Sequence, residues 1–157
     1  MIVAEVMTPN VQTCSPTDPL HAAAQIMWER DCGSVPVVRE DGHVVGMITD
    51  RDICMATYLR GQRLDECVVR DVMSAPAVTC RPSDAIEKAE SAMRDHRIRR
   101  VAVIDENDRV MGIVSLNDLV LALPRADGQR ARRPELMVST MTAICQHRTP
   151  TPRTSAA

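Results

Sequence analysis

Apolar residues follow helical and strand spacings in a fixed order along the first sixty positions. They recur every three or four residues after Pro19, which predicts an amphipathic helix. Two short apolar runs then flank Asp41-Gly42, a pair typical of a β-hairpin turn. The predicted elements are, in order, an extended segment at 11–14, a helix from about 19 to 30, strands at 35–38 and 43–48, and a helix from 49 to about 59. This order is a β-α-β-β-α unit.

The same order returns 66 residues later without a gap. The stretch from Gly46 to Asp52 has its counterpart from Gly112 to Asp118, and both contain glycine, two apolar residues, a hydroxyl residue, two variable residues and aspartate. Other positions that carry the same residue 66 places later are Val3, Val6, Met7, Thr13, Cys14, Pro16, Asp18, Ala23, Met27, Val35, Val37, Glu40, Val44 and Ala56. Each unit covers only one face of its sheet with helices and needs its twin for the other. The predicted fold class is therefore α/β (α+β), with tandem units forming one pseudo-two-fold domain.

The duplication sets the predicted domain boundaries. We place the first unit at residues 1–59, a polar linker at 60–68, the second unit at 69–123 and a tail at 124–157. The tail is rich in arginine and interrupted by proline, which predicts that it is largely disordered. One apolar patch in it, Leu136 to Ile144, is predicted to form a docking helix.

Each predicted helix begins at a residue suited to capping. Asp18 precedes Pro19, which favours an N-cap followed by proline at the first helical position. Asp84 and Glu87 fit a reciprocal cap in the second unit. A hydroxyl residue followed three positions later by aspartate, the capping-box pattern, recurs at residues 49–52 and 115–118.

Composition and charge narrow the class of protein. The chain has 45% hydrophobic residues and no Phe, so its core must be built from aliphatic residues and Met. The net charge of −2 argues against sequence-independent nucleic-acid binding, which needs a basic surface. No apolar run approaches the roughly 20 residues of a membrane span, and the N-terminus does not resemble a secretory signal. We therefore expect a cytoplasmic protein that binds neither nucleic acid nor membrane.

The six cysteines do not form a metal-binding pattern. They include no C-x-x-C and no ligand-spaced Cys/His pair, so we predict no metal site. Buried free thiols are the expected state in a reducing compartment. The sequence leaves open a Cys14–Cys32 disulfide, and also a redox-responsive role for Cys14, Cys32 or Cys80. No P-loop, G-x-G-x-x-G or Ser/His/Asp arrangement appears, so we predict no catalytic residues.

The repeated hydroxyl–aspartate motif has two interpretations. It can simply cap two helices, or its position at a helix start can serve a ligand, because helix N-termini attract anions. A hydroxyl there suits a phosphate oxygen, whereas an aspartate suits the vicinal hydroxyls of a sugar. Arg99 and Arg100 supply cations in the second unit, where the first unit has Gly33 and Ser34. These arginines fit either a solvated helix end or a phosphate site.

Three repeated or local motifs together resemble a known family. They are the V-x-x-V-M-T/S opening at 3–8 and 69–74, the Gly-h-h-Thr/Ser-x-x-Asp motif, and Ile-Arg-Arg-Val-Ala-Val at 98–103. Over residues 2–123 the chain is similar to a cystathionine β-synthase (CBS) domain pair, the Bateman module. The resemblance implies two units packed through their sheets, with ligand clefts between them for adenosine derivatives. It also implies pairing of two modules into a homodimer.

The resemblance assigns residues to two clefts. In the first, Asp52 would bind ribose, Thr49 ribose or phosphate, and the two arginines phosphate. The full first set is Thr13, Val35, Pro36, Met47, Thr49, Asp52, Arg99 and Arg100. The second, weaker set is Thr79, Val101, Ala102, Ile113, Ser115 and Asp118. Ala102 replaces the family's usual proline there, and Gly33 and Ser34 replace the arginines.

The predicted function is that of a non-catalytic sensor. AMP, ADP or ATP would bind between the units, with S-adenosylmethionine or NAD as alternatives, and no cofactor would be required. The signal would pass to a separate effector protein. The alternative is a structural or protein-interaction module whose clefts are vestigial and empty, and a cryptic enzyme is the least favoured class.

Overall fold

The computed structural model describes residues 1–122 and 134–146. Six strands and five α-helices lie in these residues. They are β1 (Thr8–Pro9), α1 (Leu20–Glu29), β2 (Ser34–Val38), β3 (Val44–Thr49), α2 (Asp50–Arg60), β4 (Thr79–Cys80), α3 (Ile86–His96), β5 (Arg100–Ile104), β6 (Val110–Ser115), α4 (Leu116–Leu121) and α5 (Pro134–Cys145). The predicted mixed α/β class and the duplicated order of elements are confirmed.

The two units exchange their opening segments. Strand β1 of the first unit pairs with β6 of the second, so that one sheet has the order β1-β6-β5-β4. The corresponding segment of the second unit reaches back to β3 through an antiparallel bridge between Ser74 and Met47. Each sheet is thus extended by a segment of the other unit.

The helices cover one face of each sheet and create two cores. The first core packs α1 and α2 on residues such as Val35, Val37 and Ile48. The second packs α3 and α4 on the equivalent strands. Side chains alternate across a strand, so residues between these core positions face the other unit, and β3 contacts β5 there. The ligand clefts predicted from the sequence would lie on this inter-sheet side.

The predicted caps of α1 and α3 are wrong. Pro19 and Ala85 are the N-cap residues, and neither helix has a side-chain cap. Asp18 instead accepts a hydrogen bond from the Ser15 N–H at 2.8 Å, and Asp84 accepts one from the Arg81 N–H at 2.7 Å. Both carboxylates close the preceding turn, because the residue after each still forms an extended bridge to another segment.

The apolar patch in the tail forms helix α5, which packs against α3. Met137 and Thr140 are buried, and Met137 joins the core of the second unit. The rest of the predicted disordered tail lies outside the described residues. No helix within the described part of the chain is long and apolar enough to cross a membrane.

Candidate functional site

The start of α2 carries the Thr49–Asp52 motif as a closed set of hydrogen bonds. The Thr49 N–H and hydroxyl both donate to Oδ2 of Asp52, at 3.0 and 2.7 Å. The Asp52 N–H donates back to Thr49 Oγ1 at 3.2 Å. The predicted capping box is therefore confirmed. These bonds use one carboxylate oxygen and leave Oδ1 of Asp52 outside the ring.

The second unit repeats this geometry at the start of α4. The Ser115 N–H and hydroxyl donate to Oδ2 of Asp118 at 2.7 and 2.6 Å, and the Asp118 N–H donates to Ser115 Oγ at 3.2 Å. Both motifs thus have a structural role that needs no ligand. Whether they also bind one depends on what surrounds them.

Arg100 brings a cation from the second unit to the helix start of the first. Its main chain pairs with Ser115 across β5 and β6. Its guanidinium nevertheless reaches the first unit, because a Cβ added at Gly33 would lie 3.4 Å from its Nη2 atom. The Gly33 carbonyl accepts a hydrogen bond from the N–H of Asp50, the first residue of α2. Arg100 therefore lies near both helix starts, whereas the Arg99 side chain is exposed.

A buried hydroxyl group lies at the same place. Ser34 is only 4% exposed and pairs with Thr49 across β2 and β3. Within the described residues its Oγ has no hydrogen-bond partner. Buried polar groups are nearly always hydrogen-bonded, so a ligand bound at this place would supply the partner that this hydroxyl lacks. The sequence pattern does not indicate it, because Ser34 stands at the position that is equivalent to Arg100 in the second unit.

The other residues of the first predicted set divide between the cleft and the core. Pro36 pairs with Met47, and Thr13 lies at the edge of the same sheet beside β2. Pro36 and Met47 are absent from the helix-covered core and lie on the inter-sheet side. The Val35 side chain, by contrast, is buried in that core, so only its main chain can face a ligand.

The second set shows the same division. Ala102 pairs with Thr79 on one side and Ile113 on the other. Thr8 from the first unit continues this row beside Ile113. The Val101 side chain lies in the second core.

A cavity of about 500 Å³ lies between the units at the hairpin of the first. Thr79 is the one predicted site residue that lines it. The remaining lining includes Arg39, Asp41 and His43, which the sequence did not single out. The pKa of Asp41 is lowered, first by the His43 N–H that donates to its carboxylate and then by the His43 side chain. The volume suits a ligand of nucleoside size.

A second cavity, of about 670 Å³, lies between α1 and α2 on the outer face. Its walls are mainly apolar and include Trp28 and Tyr58, whose side chains are 89% and 79% exposed. It contains none of the predicted site residues. An exposed apolar surface of this kind is typical of an interaction face.

The cysteines form no disulfide and no metal site within the described residues. Cys14 and Cys32 are both free. Burial raises the pKa of Cys14 to about 12 and that of Cys80 to about 11. Both thiols therefore remain protonated near neutral pH, which makes them poor nucleophiles.

Comparisons with known proteins agree with this architecture. The model of the CBS domain matches residues 3–58 and 69–125. A CBS domain-containing protein of Bacillus subtilis (strain 168), YhcV, is 40% identical over 119 residues, which cover 76% of this chain and 83% of the relative. The solved structure of Hypoxic Response Protein I with two coordinated zinc ions is 31% identical, with a TM-score of 0.72, and the match covers 79% of this chain and 100% of that one. The structure of CBSX2 in complex with AMP is 25% identical, with a TM-score of 0.67 and coverage of 77% and 94%.

Proposed function

Because the chain belongs to the CBS-domain family, we propose that it is a non-catalytic regulatory module that binds an adenosine nucleotide between its two units. The observation that carries this proposal is the convergence at the start of α2. There the first unit supplies the Thr49 hydroxyl, the Asp52 carboxylate and the buried Ser34 hydroxyl. Arg100 arrives at the same place from the second unit. The AMP complex of CBSX2 supports the ligand class.

Each group has a distinct part in binding. Oδ1 of Asp52 would accept hydrogen bonds from the ribose hydroxyls, while Ser34 Oγ would gain a partner. The Arg100 guanidinium would pair with phosphate, for which arginine geometry is well suited. The inter-sheet residues Pro36 and Met47 would contact the adenine. Because ligand would join groups from both units, its binding would favour one arrangement of the two, which is the requirement for signalling to a partner.

The experiment is calorimetric titration with AMP, ADP, ATP, adenosine, S-adenosylmethionine and NAD. Asp52→Ala should weaken adenosine compounds by about 1.5–3 kcal/mol, the value of a hydrogen bond to a charged group. Asp118→Ala is the matched comparison, since it breaks an equivalent capping box in the other unit but should leave binding in the first cleft unchanged. Arg100→Ala should reduce AMP and ATP binding far more than adenosine binding. Equal losses for Asp52→Ala and Asp118→Ala at one binding site would refute the assignment to the first cleft.

Two observations favour the alternative, an interaction module with empty clefts. Thr49 and Asp52 already form hydrogen bonds with each other, so helix capping explains the motif without any ligand. The exposed apolar cavity between α1 and α2 also offers a protein-binding face. Absence of heat and of any thermal shift with all six compounds at millimolar concentration would support this alternative.

We also propose that the module pairs with a second copy through the α1–α2 face. Trp28 and Tyr58 are the most exposed aromatic groups on that face, and burying them would remove apolar area from water. Sedimentation analysis of the Trp28→Ala/Tyr58→Ala variant should show a shift from dimer toward monomer. A wild-type protein that is monomeric at all concentrations would contradict the pairing.

A further inference from the structure

Asp50 places a carboxylate where an anionic ligand would meet α2. Its Oδ1 accepts a hydrogen bond from the N–H of Arg51 at 2.7 Å. That N–H belongs to the first turn of the helix, whose N–H groups have no intrahelical partner and attract anions. Asp50 lies directly after Thr49 and within the same turn as Asp52. The N-terminus of α2 therefore already has an anion beside it from its own chain, the Asp50 carboxylate.

The other oxygen of Asp50 lies on the side of Gly33 where Arg100 of the second unit arrives, and the residue also lines the cavity between α1 and α2. A Cβ added at Gly33 would lie 3.0 Å from Asp50 Oδ2 and 3.4 Å from Arg100 Nη2. The carboxylate of the first unit and the guanidinium of the second therefore flank one glycine, which keeps the space between them open. A phosphate drawn to Arg100 would enter the field of Asp50 at the same time.

The second unit lacks this acid. Its equivalent of Asp50 is Leu116, which begins α4 after an identical capping ring. Leu116 satisfies its own N–H with the Arg99 carbonyl at 2.8 Å, just as the Asp50 N–H uses the Gly33 carbonyl. The fold therefore builds this helix start equally well with an apolar side chain. The charge at residue 50 is not needed to form the turn.

We propose that Asp50 is a specificity-determining residue that selects ligands of the first cleft by the charge of their 5′ substituent. This inference rests on the proposed function. Asp50 opposes phosphate and favours a neutral or cationic 5′ group, such as the sulfonium of S-adenosylmethionine, while Arg100 acts in the opposite sense. The balance of the two side chains sets the preference between a nucleotide and a sulfonium compound.

The test is calorimetric titration of the full chain and its Asp50→Asn variant with adenosine, AMP, ATP and S-adenosylmethionine. Asparagine keeps an oxygen that can accept from the Arg51 N–H, so the turn is preserved. We expect AMP to bind roughly threefold to tenfold more tightly to the variant at low ionic strength, and ATP to gain at least as much. Adenosine should be unchanged, and S-adenosylmethionine should bind more weakly. High salt should shrink these differences.

Two controls separate charge from structure. Asp65→Asn removes the same charge from the exposed linker, away from the cleft, and should change none of the affinities. Asp50→Leu introduces the residue that the second unit has at this position. It replaces Asp50→Asn in the titrations if the asparagine variant folds poorly. A change of the same sign and size for all four compounds would overturn the inference, as would unchanged affinity for AMP.

The outcomes also separate this inference from the proposed function. Binding of adenosine compounds without any dependence on residue 50 would overturn the charge selection alone. Failure of all four compounds to bind either protein would overturn both. Loss of the Asp50→Asn effect in an Arg100→Ala background would support opposition between these two side chains.

Discussion

Gly112 lies where the two units are joined through their sheets, and replacing it with alanine should loosen that junction. It pairs with Pro9 where β1 of the first unit runs beside β6 of the second. A Cβ at Gly112 would overlap the Thr8 carbonyl oxygen and lie 3.2 Å from the Pro9 Cα. Both obstacles are main chain, so no side-chain rotation can relieve the contact. The whole β1 segment must move away.

The cost follows from this movement. Overpacking of a well-packed position costs about 1–3 kcal/mol. Displacing β1 would also break the neighbouring hydrogen bond from the Asn10 N–H to the Met111 carbonyl. Its loss would add about 1 kcal/mol to the destabilisation. We therefore expect Gly112→Ala to lower the free energy of unfolding by about 2–4 kcal/mol. For a chain of this size the Tm should fall by roughly 5–15 °C.

Thermal and denaturant unfolding followed by circular dichroism would measure the loss. Gly61→Ala is a suitable control, because nothing lies within 4 Å of its added Cβ and only its φ of 61° resists substitution. That conformation costs about 1–2 kcal/mol for alanine. Amide exchange at Thr8 and Asn10 should accelerate in the Gly112 variant but not in the Gly61 variant. A Tm loss for Gly112→Ala no larger than that of Gly61→Ala would refute the crowding argument.

Three further predictions concern stability and thiol chemistry. Thr49→Ala and Ser115→Ala should each cost about 1 kcal/mol in unfolding experiments without ligand, since each removes a side-chain cap. Met137→Ala should cost about 2–4 kcal/mol if α5 belongs to the core, whereas an unchanged Tm would show that α5 docks loosely. The pKa values of Cys14 and Cys80 are raised in the folded state, to about 12 and about 11. Their contribution to the free energy of unfolding should therefore be complete below about pH 9 and be lost as the pH rises toward the pKa values of the folded state. Neither thiol should react with a maleimide at pH 7 until the protein unfolds.

Local patterns predicted most of the elements and the repeated motif. The strand and helix spacings, the hairpin at Asp41-Gly42 and the two capping rings depend on residues within a few positions of one another. Such short-range interactions leave a readable pattern. The caps expected at Asp18 and Asp84 failed because a long-range bridge keeps the next residue extended, which moves the helix start and leaves the carboxylate to close a turn.

The candidate site was only partly predictable for the same reason. A hydroxyl residue and an aspartate at a helix start could be identified from spacing, but the position of Asp50 near Arg100 and the burial of Ser34 depended on tertiary packing. The opposite holds for Val35 and Val101, which the sequence motif predicts as site residues. Strand alternation directs their side chains into the two cores, so only their main chains are left to face a ligand.

The sequence by itself determined the duplication, the order of elements in each unit, the CBS-domain resemblance and the two hydroxyl–aspartate helix starts. These features follow from local periodicity and from one constant offset along the chain. The tertiary structure alone decided that β1 and the segment at Ser74 cross into the opposite sheet, and that Arg100 and Asp50 flank Gly33. Contacts between residues so far apart in the chain depend on how two finished units pack, because the clefts exist only where their sheets meet.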